Sequence, residues 1–182
     1  LDLYLDNNGF VKFKAFSYTS LLNGNSHTPL ISLYPINDGL WHHVAVNRDV
    51  NDQMSMYVDG VLVDQEQGNT GTVCEGPNEL RIGCSYVNSV HINALSGYLD
   101  NMRIWERALT QVEVIEYMNQ CVINDQDLNM YFDFDEIINN ELIDQTGNYT
   151  GVITNSLNTN LDTLTPICCD CQIIAPNTSI CI

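Results

Sequence analysis

The chain has 182 residues, with six Lys and Arg against 23 Asp and Glu and a formal net charge of −17. Phosphate backbones and anionic membrane surfaces repel such a chain, which argues against nucleic-acid binding and electrostatic membrane adhesion. At 45% hydrophobic and 16% charged it can build a core, yet no apolar run approaches the roughly 20 residues that span a bilayer, which argues against membrane insertion.

From the start to about residue 107 the chain reads as short strands broken by turns. Leu3 and Leu5, then Phe10–Phe16, flank the turn signal Asn7-Asn8-Gly9. Lys12 and Lys14 alternate with Val11, Phe13 and Ala15, the period of two of a half-buried strand. Leu30–Tyr34 is a further strand, and Asp38-Gly39 turns the chain into Trp41–Asn47. Met54–Val58 and Val61–Val63 surround Asp59-Gly60, whose residues supply the positive φ angles of a type I′ hairpin turn. Glu79–Cys84 and Gly97–Trp105 read as two more strands. One helix is expected near 110–119: Thr110 as N-cap with Glu113 reaching back, Leu109 stapled onto Val114, and Val114, Ile115 and Met118 as a short apolar stripe. Leu128–Phe134 is another strand. From about 155 the Asn- and Thr-rich tail has little periodicity and reads as loop. This pattern suggests an all-β sandwich or barrel.

Seven cysteines occur, Cys74, Cys84, Cys121, Cys168, Cys169, Cys171 and Cys181, with sequons at Asn148-Tyr149-Thr150 and Asn177-Thr178-Ser179. Together they favour an oxidising extracellular or cell-surface setting, with Asn148 and Asn177 as N-glycosylation sites and all seven cysteines as disulfide candidates. Cys74 with Cys84, and Cys121 with the 168–171 cluster, are candidate pairings. The rival reading, a zinc site at Cys168-Cys169-Asp170-Cys171, lacks the paired spacing or histidines zinc uses. The first residues carry no basic, apolar leader, so a secreted chain would be a mature product.

The stretch Asp38-Gly39-Leu40-Trp41-His42-His43-Val44-Ala45-Val46 resembles the D-G-x-W-H-H-V-A-V signature of laminin-G-like and pentraxin-like domains. Tyr57-Val58-Asp59-Gly60, then Leu80–Gly83, then Gly97–Thr110 resemble the next three blocks, in the family's order. The resemblance implies a concanavalin A-like jelly roll of two antiparallel sheets, with Trp41, His43, Asp59, Gly60, Gly97, Asp100 and Trp105 as its structural signature. Trp41 is expected to fill a core and find a partner for its indole N–H. Asp100 is expected to be hydrogen-bonded by loop amides or by His43, since an unpaired carboxylate there is costly.

The family's opening block, Y-(F/W)-x-F-D-E followed by D-x-S-G-N-x-x-G, is absent upstream and resembled instead by Tyr131–Glu136 and Leu142–Gly151. The chain therefore divides into a sandwich lacking its opening strands (1–124), an opening-strand block (125–154) and a Cys-rich tail (155–182). A window on a tandem array, a permuted sandwich and a subunit that donates strands to other copies all fit this order.

No nucleophile or phosphate-loop motif is visible. His42 and His43, adjacent in a strand, point to opposite faces, and His27 and His91 lie in expected loops. A glycosidase needs two carboxylates flanking the scissile bond. Asp133 and Asp135, which alternation puts on one face, are the nearest candidates, and the opening block already accounts for them. No cofactor is required. Calcium is the metal to consider, with Asp49 and Asp52 as ligands, because rims of such sandwiches offer carboxylate and carbonyl oxygens. Glycans are possible partners through Asn-rich loops such as Asn23–Ser26 and Ser85–Asn93 with Tyr86. The expected function is non-catalytic extracellular adhesion or assembly, with other copies or repeats as partners. A calcium-dependent lectin stands second and a glycoside hydrolase third.

Overall fold

A computed structural model describes residues 2–14, 29–68, 80, 82–83, 85–87, 90–92, 95–120, 124–153 and 179–181. The chain begins with a hairpin of β1 (Asp2–Leu5) and β2 (Val11–Lys14), turned at Gly9 with a φ of 85°. Val11 and Phe13 are buried while Lys12 and Lys14 are half-buried, the alternation expected of a one-sided strand. The third strand of this sheet, β3 (Leu30–Ile31), is shorter than expected. It stops because Ser32 turns inward: its Oγ accepts from Val11 N–H at 3.0 Å and donates to Tyr34 O at 2.8 Å.

The central sheet holds β4 (Trp41–Arg48), β5 (Gln53–Val58) and β6 (Val61–Gln67), antiparallel in sequence. Asp59 and Gly60 join β5 to β6 with φ angles of 52° and 76°, both left-handed as a type I′ turn requires. β5 is buried on both faces. Met54, Met56 and Val58 pack with Val44, Val63, Ile36 and with Val11, Phe13 and Leu30 of the first sheet. Tyr57 faces the other way, onto Leu109 and Val114. The central sheet is thus covered by β1–β3 on one side and by the helix α1 (Gln111–Tyr117) on the other.

Helix α1 forms with the anticipated caps. The Thr110 side chain accepts from the Glu113 N–H, and the Glu113 carboxylate accepts from the Thr110 N–H at 2.7 Å. Leu109 and Val114 are buried together, as the staple implies. Ile115 is more exposed than its place in the apolar stripe suggests, because it caps the β5–β6 turn: a Cβ on Gly60 would stand 2.7 Å from Ile115 Cγ1.

Two short strands, β7 (Ser85–Val87) and β8 (Val90–Ile92), form a hairpin. The expectation that Ser85–Asn93 and His91 lie in loops is corrected for the described residues, 85–87 and 90–92, while Asn23–Ser26 lies outside them. The described residues of the expected strand at 79–84, Leu80, Ile82 and Gly83, are not in a strand, since Gly83 turns the chain with a φ of 82°. The expected single strand at 97–105 is two, β9 (Tyr98–Asp100) and β10 (Met102–Trp105), divided by left-handed Asn101 at φ 54°. That corner moves the chain from the central sheet into a four-stranded one, ordered β10, β11 (Leu128–Ile138), β12 (Glu141–Asp144) and β13 (Thr150–Val152). β11 runs antiparallel to β10, Met102 facing Phe132 and Ile104 facing Met130. Strand β14 (Ser179–Cys181) lies between β4 and β9, parallel to both. All seven cysteine side chains, His27 and Asn177 lie outside what the structure describes.

Among the described residues, no helix is long and apolar enough to cross a membrane. Among the described residues the architecture is mostly antiparallel sheet with one short helix, consistent with a jelly-roll sandwich.

Candidate functional site

Four signature residues, Trp41, His43, Asp59 and Gly60, lie at the start of β4 and the adjoining β5–β6 turn. Asp38 folds its own turn by accepting from Leu40 N–H at 2.9 Å. Asp59, across the sheet in the hairpin turn, accepts from the His43 N–H at 2.9 Å, while its own N–H donates to His43 O at 2.8 Å. His42 sits between the two acids, Nδ1 at 2.8 Å from Asp59 Oδ2 and Nε2 at 3.1 Å from Asp38 Oδ1. Burial by itself would lower the His42 pKa, but the Asp59 and Asp38 carboxylates outweigh it and hold it above its ordinary value. Gly60 takes part by what it lacks, leaving room for Ile115 and a carbonyl for Gln111 Nε2 at 3.0 Å.

His43 points the other way, as alternation demands. Burial first, then the positive Arg103, push its pKa down to about 4, so the ring is neutral. The expected hydrogen bond between His43 and Asp100 is corrected: β14 stands between their strands, with Cys181 in register with both. His43 Nδ1 and Trp41 Nε1 are buried without a hydrogen-bond partner among the described residues, so the Trp41 indole also lacks the partner expected for it. Its ring instead lies 6.3 Å from the Tyr98 ring.

A second polar centre surrounds Arg103, on β10. Its guanidinium donates to Tyr117 O at 2.9 Å and Gln120 O at 2.6 Å, filling the carbonyl end of α1, which has no basic residue of its own in its last turn. It also reaches Asn101 Oδ1 at 3.1 Å and lies 4.6 Å from the Tyr131 ring centroid, while Tyr131 Oη donates to Asn101 Oδ1 at 2.6 Å. The β9–β10 corner, the helix end and β11 are tied at one point. Farther along, Arg107 meets Glu113 and Asp125 at 2.8 Å and Asp127 at 3.1 Å, so ion pairs span the 124/125 boundary.

Asp100 is 2% exposed. Burial drives its pKa up to about 7, the Asn101 N–H pulls it back, and Asp135 and Asp133 push it up again. A protonated acid at neutral pH is a feature of glycosidase acids. A general acid must reach its substrate, however, and Asp100 is enclosed. Asp133 and Asp135 do not simply alternate along a strand face. The strand is irregular between Phe132 and Ile137, Phe134 is left-handed at φ 58°, and Asp133 accepts from Asp135 N–H at 3.3 Å.

The calcium candidates have local partners. Asp49 Oδ1 accepts from the N–H groups of Asn51 and Gln53 at 2.8 and 2.9 Å, and Asp52 pairs with Arg48. A Ca²⁺ ion takes six to eight oxygens, so it would need further ligands beside these two carboxylates. Among the described residues, no group of three or more His, Cys, Asp or Glu is arranged to hold a metal.

The sequence reading passed over Asp144, the aspartate of the D-x-T-G-N block. Buried at the end of β12, it accepts from the N–H groups of Tyr131 (2.8 Å), Thr146 (3.0 Å), Asn148 (3.1 Å) and Tyr149 (3.0 Å), with the Thr146 hydroxyl at 2.7 Å. The sequon asparagine Asn148 lies in this turn, exposed, with Nδ2 donating to Asn129 O at 3.0 Å.

A family model, Laminin_G_3, described as the concanavalin A-like lectin/glucanases superfamily, matches residues 2–115. Among solved structures, the chain is similar to an S-layer domain-containing protein (residues 221–444) from Clostridium thermocellum ATCC 27405. The two share 22% identity with a TM-score of 0.39, over 64% of this chain and 61% of that one. The match thus spans about three-fifths of that structure's length.

Proposed function

This chain belongs to the Laminin_G_3 family of the concanavalin A-like lectin/glucanase superfamily, and we propose that it works as a non-catalytic extracellular adhesion or assembly module, a repeat or subunit of a surface array or fibre. The observation that supports this reading is the antiparallel pairing of β11 with β10. Strand β11, in the block that resembles a sandwich's front, pairs within this chain with β10, in the block that resembles its back. The same ladder can be made within one chain or between neighbours, which is how a strand-sharing array would grow. Exposed Asn148 suits a secreted glycoprotein, and the carboxylates of Asp38, Asp59, Glu113 and Asp144 are engaged in turns and caps.

The test is self-association measured by light scattering over a range of concentrations, with cross-linking of mixed heavy and light isotope preparations. Cross-links joining β10 of one copy to β11 of another, lost in Met130→Pro, support assembly. A monomer at every concentration with no heavy–light product refutes it. A calcium-dependent glycan-binding module is the second reading, favoured by the lectins in the superfamily's description. It predicts a glycan-array signal that a chelator abolishes.

A further inference from the structure

Both ring nitrogens of His42 meet carboxylate oxygens, Asp59 Oδ2 at 2.8 Å and Asp38 Oδ1 at 3.1 Å. A neutral imidazole has one N–H and one lone pair, and a carboxylate only accepts. A neutral ring therefore satisfies one contact and turns its lone pair on the other, whereas the imidazolium donates to both. The two acids belong to different elements: Asp38 to the turn that enters β4, and Asp59 to the turn between β5 and β6. We propose that His42 is a protonation-dependent latch that fastens the 38–40 turn to the β5–β6 hairpin.

The geometry also says which side opens. Asp59 is the nearer partner, and its other oxygen is fixed by the His43 N–H at 2.9 Å. Asp38 has its further bond within its own turn, to Leu40 N–H. Losing the Nε2 proton keeps Nδ1–H on Asp59 and releases Asp38. The titratable groups acting on His42 are Asp59 and Asp38, and Tyr34 faces Asp59 from the preceding loop. The released turn carries exposed Leu40, and the loop before it carries exposed Leu33 and Tyr34. The latch is closed at low pH and opens as pH rises through the raised His42 pKa.

The experiment is a titration of the whole chain labelled with ¹⁵N in its histidines, following ring-nitrogen shifts and the hydrogen exchange of the Leu40 amide. His42→Gln identifies the resonance, and Asp38→Asn provides a variant that keeps the Asp59 contact. The expected result is a His42 midpoint above 6.5, its ordinary value. Above that midpoint the Nδ1–H tautomer should dominate, and Leu40 exchange, corrected for its intrinsic pH dependence, should quicken by about tenfold, the equivalent of one lost hydrogen bond. In Asp38→Asn the midpoint should fall and the step in exchange should vanish. A midpoint at or below 6.5, an Nε2–H tautomer at high pH, or an Asp38→Asn midpoint equal to the parent's would each overturn the latch.

Discussion

Replacing Asp144 by alanine tests whether one carboxylate organises the whole β11–β13 layer. Its two oxygens take four backbone N–H groups and lie within reach of the Thr146 hydroxyl. The Tyr131 N–H bond is buried, and the donors from Thr146, Asn148 and Tyr149 are part-buried. An unsatisfied buried donor costs about 1–3 kcal/mol, and a hydrogen bond to a charged group contributes about 1.5–3 kcal/mol. Water can reach the part-buried donors, so their losses do not sum in full. Asp144→Ala should therefore cost about 3–5 kcal/mol. In a domain of this size each kcal/mol moves Tm by about 2–4 °C, which puts the drop at roughly 6–20 °C. Asp144→Asn keeps one acceptor oxygen and should lose roughly half as much.

Urea and thermal unfolding followed by circular dichroism measure both variants. The pH dependence gives a second check. Burial raises the Asp144 pKa, but the Tyr131, Thr146 and Tyr149 bonds outweigh it and hold it below its ordinary 3.8. A depressed carboxylate stabilises above its unfolded value and loses that contribution as pH falls through the folded one. The gap between parent and Asp144→Asn should accordingly be full at neutral pH and close below pH 3.8. An alanine variant within about 1 kcal/mol of the parent, or an asparagine variant as damaged as the alanine, would refute the reasoning.

Three further outcomes follow from other contacts. Arg103→Met should cost about 2–4 kcal/mol, because the carbonyls of Tyr117 and Gln120 lose their donor, and amide exchange across residues 111–120 should quicken first. Gly60→Ala should cost more than the roughly 1–2 kcal/mol of a left-handed alanine, since its Cβ would also meet Ile115, and adding Ile115→Ala should recover the excess in a double-mutant cycle. Asp100 has a raised pKa, so the folded state holds its proton longer than the unfolded chain, and the parent loses stability between pH 3.8 and about 7. Asp100→Asn should remove that loss, gaining on the parent through this window and levelling off above it in urea unfolding at stepped pH.

Much of the scaffold was legible because its signals are local. Asp59-Gly60 specifies its turn through two left-handed residues, and Thr110 with Glu113 specifies the start of α1 within one helical turn. The alternation of Lys12 and Lys14 with Val11 and Phe13 reports a buried face by chemistry alone. Local pattern also misled where one residue's tertiary bonds decide its backbone. Ser32 ends β3 because its hydroxyl is claimed by Val11 and Tyr34, and Asn101 breaks the strand at 97–105 so that the chain can change sheets. Alternation failed at Asp133 and Asp135 because left-handed Phe134 bends the strand between them.

Composition and motif order by themselves determined an acidic, all-β chain of laminin-G-like type and the opposite orientations of His42 and His43, since strand periodicity and turn stereochemistry act between residues close in sequence. Only the tertiary structure decided what those residues bind. Asp38 and Asp59 are 21 positions apart and meet on one imidazole, Arg103 serves the end of a helix that begins after it, and Asp144 gathers donors from strand β11 and from the turn before β13. Such contacts depend on how sheets close on one another, and that closure satisfies buried polar groups whose partners no sequence window contains.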